Sequence, residues 1–120
     1  MPKILISDSL SNNANDIFVK NNIEVDTITE LTAEDLKKII HQYDGLVVRS
    51  STKVTDEIIS SGINLKIIGR AGAGVDNIDL ISAKKNNIIV MNTPGGNTNA
   101  TAEHALSLLM SLYRDIPQAN

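Results

Sequence analysis

The chain has 120 residues, 42% of them apolar and 21% charged, with a formal net charge of −3. That is one domain's worth of chain, and its core must come from Ile, Leu, Val and Ala, since Phe18, Tyr43 and Tyr113 are its only aromatic residues. The acidic balance carries no electrostatic footprint for nucleic acid, and zero cysteines excludes disulfides, thiolate-ligated metals and thiol catalysis.

In chain order, Lys3–Ile6 reads as a strand that ends in the turn-rich Ser7-Asp8-Ser9. Met1-Pro2-Lys3 runs straight into it, and no signal peptide is expected. Residues 11–22 place Ala14, Ile17 and Phe18 at helical spacing. Ile23–Ile28 alternates with period two, as a strand does. Thr32-Ala-Glu-Asp35 opens a helix with a hydroxyl followed three residues later by a carboxylate, and its core face is Leu36, Ile39 and Ile40. Gly45–Val48 is a continuous apolar strand leading into Arg49-Ser-Ser-Thr52. Residues 55–61 form a short helix stopped by Gly62.

Leu65–Ile68 is the next strand, and residues 79–87 a further helix capped by Asp79. Its Lys84-Lys85 pair is the longest basic run and reads as a solvated face. Ile88–Met91 is the last strand, ending in Asn92-Thr-Pro-Gly-Gly-Asn97. A long helix then covers about residues 99–115, with Pro117 beyond it. Leu106, Leu109, Met110 and Tyr113 line one of its faces, and Ala105, Leu108 and Leu112 the next. So broad an apolar surface wants cover from another chain or a further domain. The apolar stretch within Ala105–Tyr113 is too short to span a bilayer.

Strands alternating with helices, four of them nearly all apolar, predict a parallel sheet covered on both faces. The expected fold is α/β, a flavodoxin-like doubly wound five-stranded sheet followed by a long C-terminal helix.

In such sheets ligands bind at the carboxyl ends of the strands. Three ends here are polar: Arg49–Thr52, residues 70–75 and residues 92–98. They offer guanidinium groups, hydroxyls, amides and backbone N–H groups without an evident general base, which is the make-up of an anion receptor. Arg49 suits a phosphate or carboxylate through its planar fork of donors, an ion pair at the strand end being the structural alternative. Gly72-Ala-Gly74-Val-Asp-Asn77 resembles a dinucleotide fingerprint at first sight. Asn77 stands where the third glycine belongs, and the following strand ends in Met91-Asn92-Thr93 where an acid should meet the ribose. The loop is better read as an oxyanion cradle built on the N–H groups of Ala73, Gly74 and Val75.

Two histidines far apart, with no carboxylate cluster, argue against a metal site. His41 reads as a late-helix surface residue. His104 beside Glu103 reads as packing or capping, because adjacent helical positions do not face each other. Asp76 and Asp79 read as turn and N-cap residues.

Three motifs carry a family resemblance: Val47-Val-Arg-Ser-Ser-Thr-Lys-Val54, Ile68-Gly-Arg-Ala-Gly-Ala-Gly-Val-Asp-Asn-Ile-Asp79, and Val90-Met-Asn-Thr-Pro-Gly-Gly-Asn97 followed by Ala102-Glu-His104. Together they resemble the D-isomer-specific 2-hydroxyacid dehydrogenases over essentially the whole chain. The Arg-Ser-x-Thr-Lys-Val pattern is similar to the branch acting on 3-phosphoglycerate. The resemblance implies NAD-dependent oxidation of that phosphorylated hydroxy acid in serine synthesis, by a cytoplasmic enzyme that is a homo-oligomer at full length. It places Arg49 and Ser50 at the substrate's charged end with Asn97 nearby, and the amides of Ala73, Gly74 and Val75 at its carboxylate. Ala73 also touches the nicotinamide side, in a position where relatives often carry Thr or Val.

Residues 1–98 would be the substrate-binding domain and 99–120 an interdomain helix leading to an NAD-binding domain. That missing domain would hold the cofactor and the catalytic Arg, Glu and His, so no catalytic residue is assigned in this chain, which is expected to be inert alone. A glyoxylate or hydroxypyruvate reductase and a non-catalytic corepressor-like module remain alternatives within the superfamily. A receiver-type signalling domain has the same expected fold, but it needs paired acids where this chain has Asp8 alone, a phosphorylatable Asp where it has Arg49, and a Lys where it has Asn92-Thr93.

Overall fold

The computed structural model describes residues 2–8, 12–49, 51–72, 76–93 and 98–115. Five strands, β1 (Lys3–Ile6), β2 (Glu24–Thr27), β3 (Gly45–Val48), β4 (Ile67–Ala71) and β5 (Ile89–Thr93), form one sheet in the order β2-β1-β3-β4-β5. Every pairing is parallel. This is the doubly wound order of flavodoxin-like folds, with its switch point between β1 and β3. Successive side chains of a strand point to opposite faces, and the apolar strands feed two cores in this way. Leu5, Leu46, Val48 and Ile68 pack under α2 (Ala33–Ile39), α3 (Asp56–Ser61) and α4 (Leu80–Lys85). Ile4, Ile6, Val47 and Ile67 pack under α1 (Asn12–Lys20) and α5 (Thr98–Asp115), which contribute Phe18, Ala102, Ala105 and Leu109.

The expected caps are in place. Thr32 Oγ1 accepts from the Asp35 amide at 3.1 Å, and Asp79 Oδ1 accepts from the Ser82 amide at 2.9 Å. Each such cap is worth about 1 kcal/mol of helix stability. Gly62 ends α3 as read.

Several boundaries move. The helix read over 11–22 stops at Lys20, because Asn22 adopts φ 62° and Asn21 Nδ2 turns back onto the Ile17 carbonyl at 2.8 Å. α2 ends at Ile39, and Ile40–Gln42 tightens into a 3-10 turn with Leu36 and Ile40 buried and Ile39 partly so. Both late strands run further than their apolar runs. β4 takes in Gly69, Arg70 and Ala71, and β5 takes in Asn92 and Thr93, because Arg70 pairs with Asn92 and Ala71 with Thr93 across the ladder. The β4–β5 ladder thus draws polar residues into strand geometry, and Gly69, Arg70, Ala71, Asn92 and Thr93 are held by sheet pairing.

The glycines divide accordingly. Gly69 lies within β4, buried, and a Cβ there would sit 3.3 Å from Thr101 Cγ2 on α5. Its role is to let the helix approach the sheet. Gly72 has φ +155°, where a side chain is strained. Nearby, Thr101 Oγ1 donates to Thr93 Oγ1 at 2.8 Å and ties the start of α5 to the end of β5.

Candidate anion-binding site at the strand ends

At the carboxyl end of β3 the chain leaves the sheet as Arg49–Thr52, next to the end of β1. Asp8 lies just beyond β1, only 6% exposed. Its Oδ2 accepts from the Arg49 amide at 2.7 Å and from the Thr52 amide at 3.1 Å, and its Oδ1 accepts from the Thr52 hydroxyl at 2.6 Å. With its one proton committed to Asp8, that hydroxyl accepts from Ser7 Oγ at 3.0 Å. A buried carboxylate survives by such partners, and each charge-assisted bond is worth roughly 1.5–3 kcal/mol.

The other side of the same segment is held from the loop after β4. Asn77 Nδ2 donates to the Arg49 carbonyl at 2.8 Å and to the Thr52 carbonyl at 2.6 Å. The backbone of Asn77 joins in, since the Val54 amide donates to its carbonyl at 2.8 Å. The Asp79 amide then returns to the Val54 carbonyl at 2.9 Å.

Arg49 itself is exposed, and its guanidinium has no partner among the described residues. The ion pair considered above is therefore not what holds it. Arg70, one strand over, is the reverse case. Its guanidinium side chain is 12% exposed and pairs through Nη1 with Asp76 at 2.7 Å. Of the two arginines, Arg49 alone presents an exposed guanidinium without an ion pair among the described residues, whereas the unpaired Nε of Arg70 is buried.

The remaining candidates, Ser50, Ala73, Gly74, Val75 and Asn97, lie outside the described residues, so of the anion set the structure describes Arg49 alone. Asp76 takes its turn position and gains the pair with Arg70. His41 is exposed in the 3-10 turn, as read, whereas His104 and Glu103 are exposed on α5, which removes the packing role given to His104. Among the described residues no group of His, Cys, Asp or Glu could hold a metal ion, and no helix is long and apolar enough to cross a membrane.

Two clefts adjoin these strand ends, neither lined by Arg49. One of about 560 Å³ sets Lys53 and Arg70 against Asp76 and Asp79, charges that balance. One of about 410 Å³ is lined by Asp8, Thr29, Glu30 and Thr52 and by no cation, a poor host for an anion.

The described residues do not make a dinucleotide site. Where a ribose-binding acid would stand, Asn92 Nδ2 donates to the Gly72 carbonyl at 3.3 Å and Thr93 is bonded to Thr101. Ala73, the one expected contact with a nicotinamide, lies outside the described residues.

Sequence reading missed Asp8 and Asn77. Asp8 was passed over as part of a turn and Asn77 as a fault in a fingerprint. The available signal was their chemistry: an acceptor directly after β1, beside the switch point, and a donor where a glycine would bring none.

The doubly wound sheet is shared with a known class. Residues 4–113 match the model of the D-isomer specific 2-hydroxyacid dehydrogenase catalytic domain, and the chain belongs to that family. Among its relatives is a D-3-phosphoglycerate dehydrogenase of Synechocystis, 50% identical over 120 residues, which are 100% of this chain and 22% of that protein. Another, from Archaeoglobus fulgidus, is 48% identical over 118 residues, 98% of this chain and 22% of that protein. The chain thus spans about 22% of the length of these relatives. A crystal structure of NAD+-bound 3-phosphoglycerate dehydrogenase from Entamoeba histolytica superposes with a TM-score of 0.74 at 39% identity, over 90% of this chain and 38% of that one.

Proposed function

We propose that this chain forms the substrate-binding part of an NAD-dependent dehydrogenase that oxidises 3-phosphoglycerate to 3-phosphohydroxypyruvate, the first step of serine synthesis. Residues 1–98 act as the substrate-binding domain and 99–120 as an interdomain helix. Arg49 and Ser50 take the charged end of the substrate, with Asn97 nearby. The amides of Ala73, Gly74 and Val75 hold the carboxylate beside the reacting carbon. NAD, when bound, supplies the hydride acceptor, and Ala73 is the only residue of this chain assigned to its nicotinamide edge. The contribution of this chain is binding and orientation, and residues 1–120 alone are expected to bind substrate without oxidising it.

The observation that carries this reading is Arg49. Its backbone is fixed at both N–H and C=O while its guanidinium is exposed and without a partner among the described residues. A cation so presented meets a doubly charged phosphate without first breaking an internal ion pair.

Calorimetric titration of 3-phosphoglycerate into the 120-residue protein and its Arg49→Ala variant tests the reading. Binding to the parent that weakens about 100-fold in the variant is expected; equal binding would remove Arg49 from the site. D-glycerate is the control, because binding it as well as its phosphate ester would favour a reductase acting on unphosphorylated acids.

A further inference from the structure

The segment Arg49–Thr52 is gripped at both of its ends by the same two side chains. Asp8 accepts from the N–H of Arg49 and the N–H of Thr52. Asn77 donates to the C=O of Arg49 and the C=O of Thr52. Four backbone polar groups that leave the sheet are thus paired by one carboxylate and one amide. Such groups, left unpaired, would cost free energy or draw the segment into other conformations.

The division of labour follows from the chemistry of the two residues. A carboxylate is acceptor only and suits the N–H groups, while an amide nitrogen carries two donors and suits two carbonyls. Exchange of the two residues would fail on both sides. Three donors occupy the oxygens of Asp8.

We infer that Asp8 and Asn77 form a clasp that positions Arg49 for an anionic substrate and joins the β3 segment to the loop after β4. Asp8 belongs to the end of β1, and Asn77 directly follows the loop assigned to the substrate carboxylate. The clasp therefore fixes the spacing between Arg49 at the end of β3 and Asn77 after β4. This rests on the substrate reading above, and both residues are positioning residues that touch no ligand.

The mechanism is pre-organisation. An arginine on a mobile loop gives up conformational freedom on binding, whereas one on a fixed backbone has already lost it. Asn77→Ala leaves the net charge unchanged and removes the two donors together with a buried Oδ1 that has no partner among the described residues. It should weaken binding of 3-phosphoglycerate about tenfold in the folded protein. In an Arg49→Ala background the same substitution should change affinity less than about twofold, because the clasp acts through Arg49. A purely structural residue would lower the unfolding midpoint and leave affinity unchanged, or would weaken binding equally in both backgrounds. Either result would overturn the inference.

Amide exchange gives a readout independent of any ligand. In the parent the Arg49 and Thr52 amides should exchange slowly, and Asp8→Ala should accelerate both at least tenfold while amides of β4 keep their protection. Fast exchange in the parent would refute the clasp whatever the ligand result. Slow parent exchange with no 3-phosphoglycerate binding would count against the substrate reading and leave the clasp standing.

Discussion

Two arginines stand at the carboxyl ends of adjacent strands, and the protein treats them in opposite ways. Arg49 has its backbone bound on both sides and its guanidinium exposed. Arg70 lies within the β4 ladder and has its guanidinium engaged by Asp76. Equal chemistry at neighbouring strand ends thus yields one presented cation and one internal one. A strand-end arginine is a binding residue only where other groups hold its backbone and nothing holds its fork.

The comparison can be broken at several points, and the largest effect should come from Arg49. Its replacement by Ala should weaken 3-phosphoglycerate binding about 100-fold yet alter unfolding free energy by less than about 0.5 kcal/mol, because a surface side chain without partners contributes little to stability. Denaturant titration alongside calorimetry separates the two quantities.

The glycines come next. Gly72→Ala should cost about 2 kcal/mol from backbone strain at φ +155°, although the nearest atom to the new methyl is 3.8 Å away. Gly69→Ala should cost about 1 kcal/mol through contact with Thr101, with its backbone at ease. Equal costs measured by urea unfolding would contradict the distinction between turn and packing glycines.

Arg70→Met keeps the stem and removes the ion pair, leaving an Asp76 side chain that is 91% exposed and free to hydrate. Pairs with so exposed a partner are worth about 1 kcal/mol or less. Stability should fall by that amount and substrate affinity should stay within about twofold. A tenfold loss of affinity would make Arg70 a ligand and remove the contrast.

The smallest effect at neutral pH belongs to the opposite end of the sheet. Tyr43 is buried and its hydroxyl donates to Asp26 Oδ2 at 2.7 Å. Burial first, and then that hydrogen bond, push its pKa well above the ordinary 10.0. The folded state therefore holds this proton more tightly than the unfolded chain does. The associated stability is fully present below pH 10.0 and is lost as pH rises from there through the folded-state value. Tyr43→Phe should cost roughly 0.5–1 kcal/mol at pH 7 and flatten the decline above pH 10.0, as followed by unfolding across alkaline pH, with no change in ligand affinity.

Much of the fold was legible because four strands are apolar runs and the helices open on side chains that can cap them. Thr32 and Asp79 act as read, and the capping signals are local. The ends of β4 and β5 were not legible, since Arg70 and Asn92 enter the ladder through each other and not through hydrophobicity. In the site, Arg49 could be proposed from its type and position at a strand end. Asp8 and Asn77 could not, because their partners lie 41 or 44 and 28 or 25 positions away. Apart from the Thr52 hydroxyl on Asp8, each acts on backbone atoms, which most residues at 49 or 52 would supply, so no motif records those contacts.

The most direct test is residue-resolved NMR during titration of 3-phosphoglycerate into the 15N-labelled protein, following the guanidinium Nε–H signals of both arginines. The account predicts a saturable shift of the Arg49 signal and of the Asn77 side-chain amide, with the Arg70 signal unmoved. A saturable shift at Arg70 with Arg49 unchanged would contradict it.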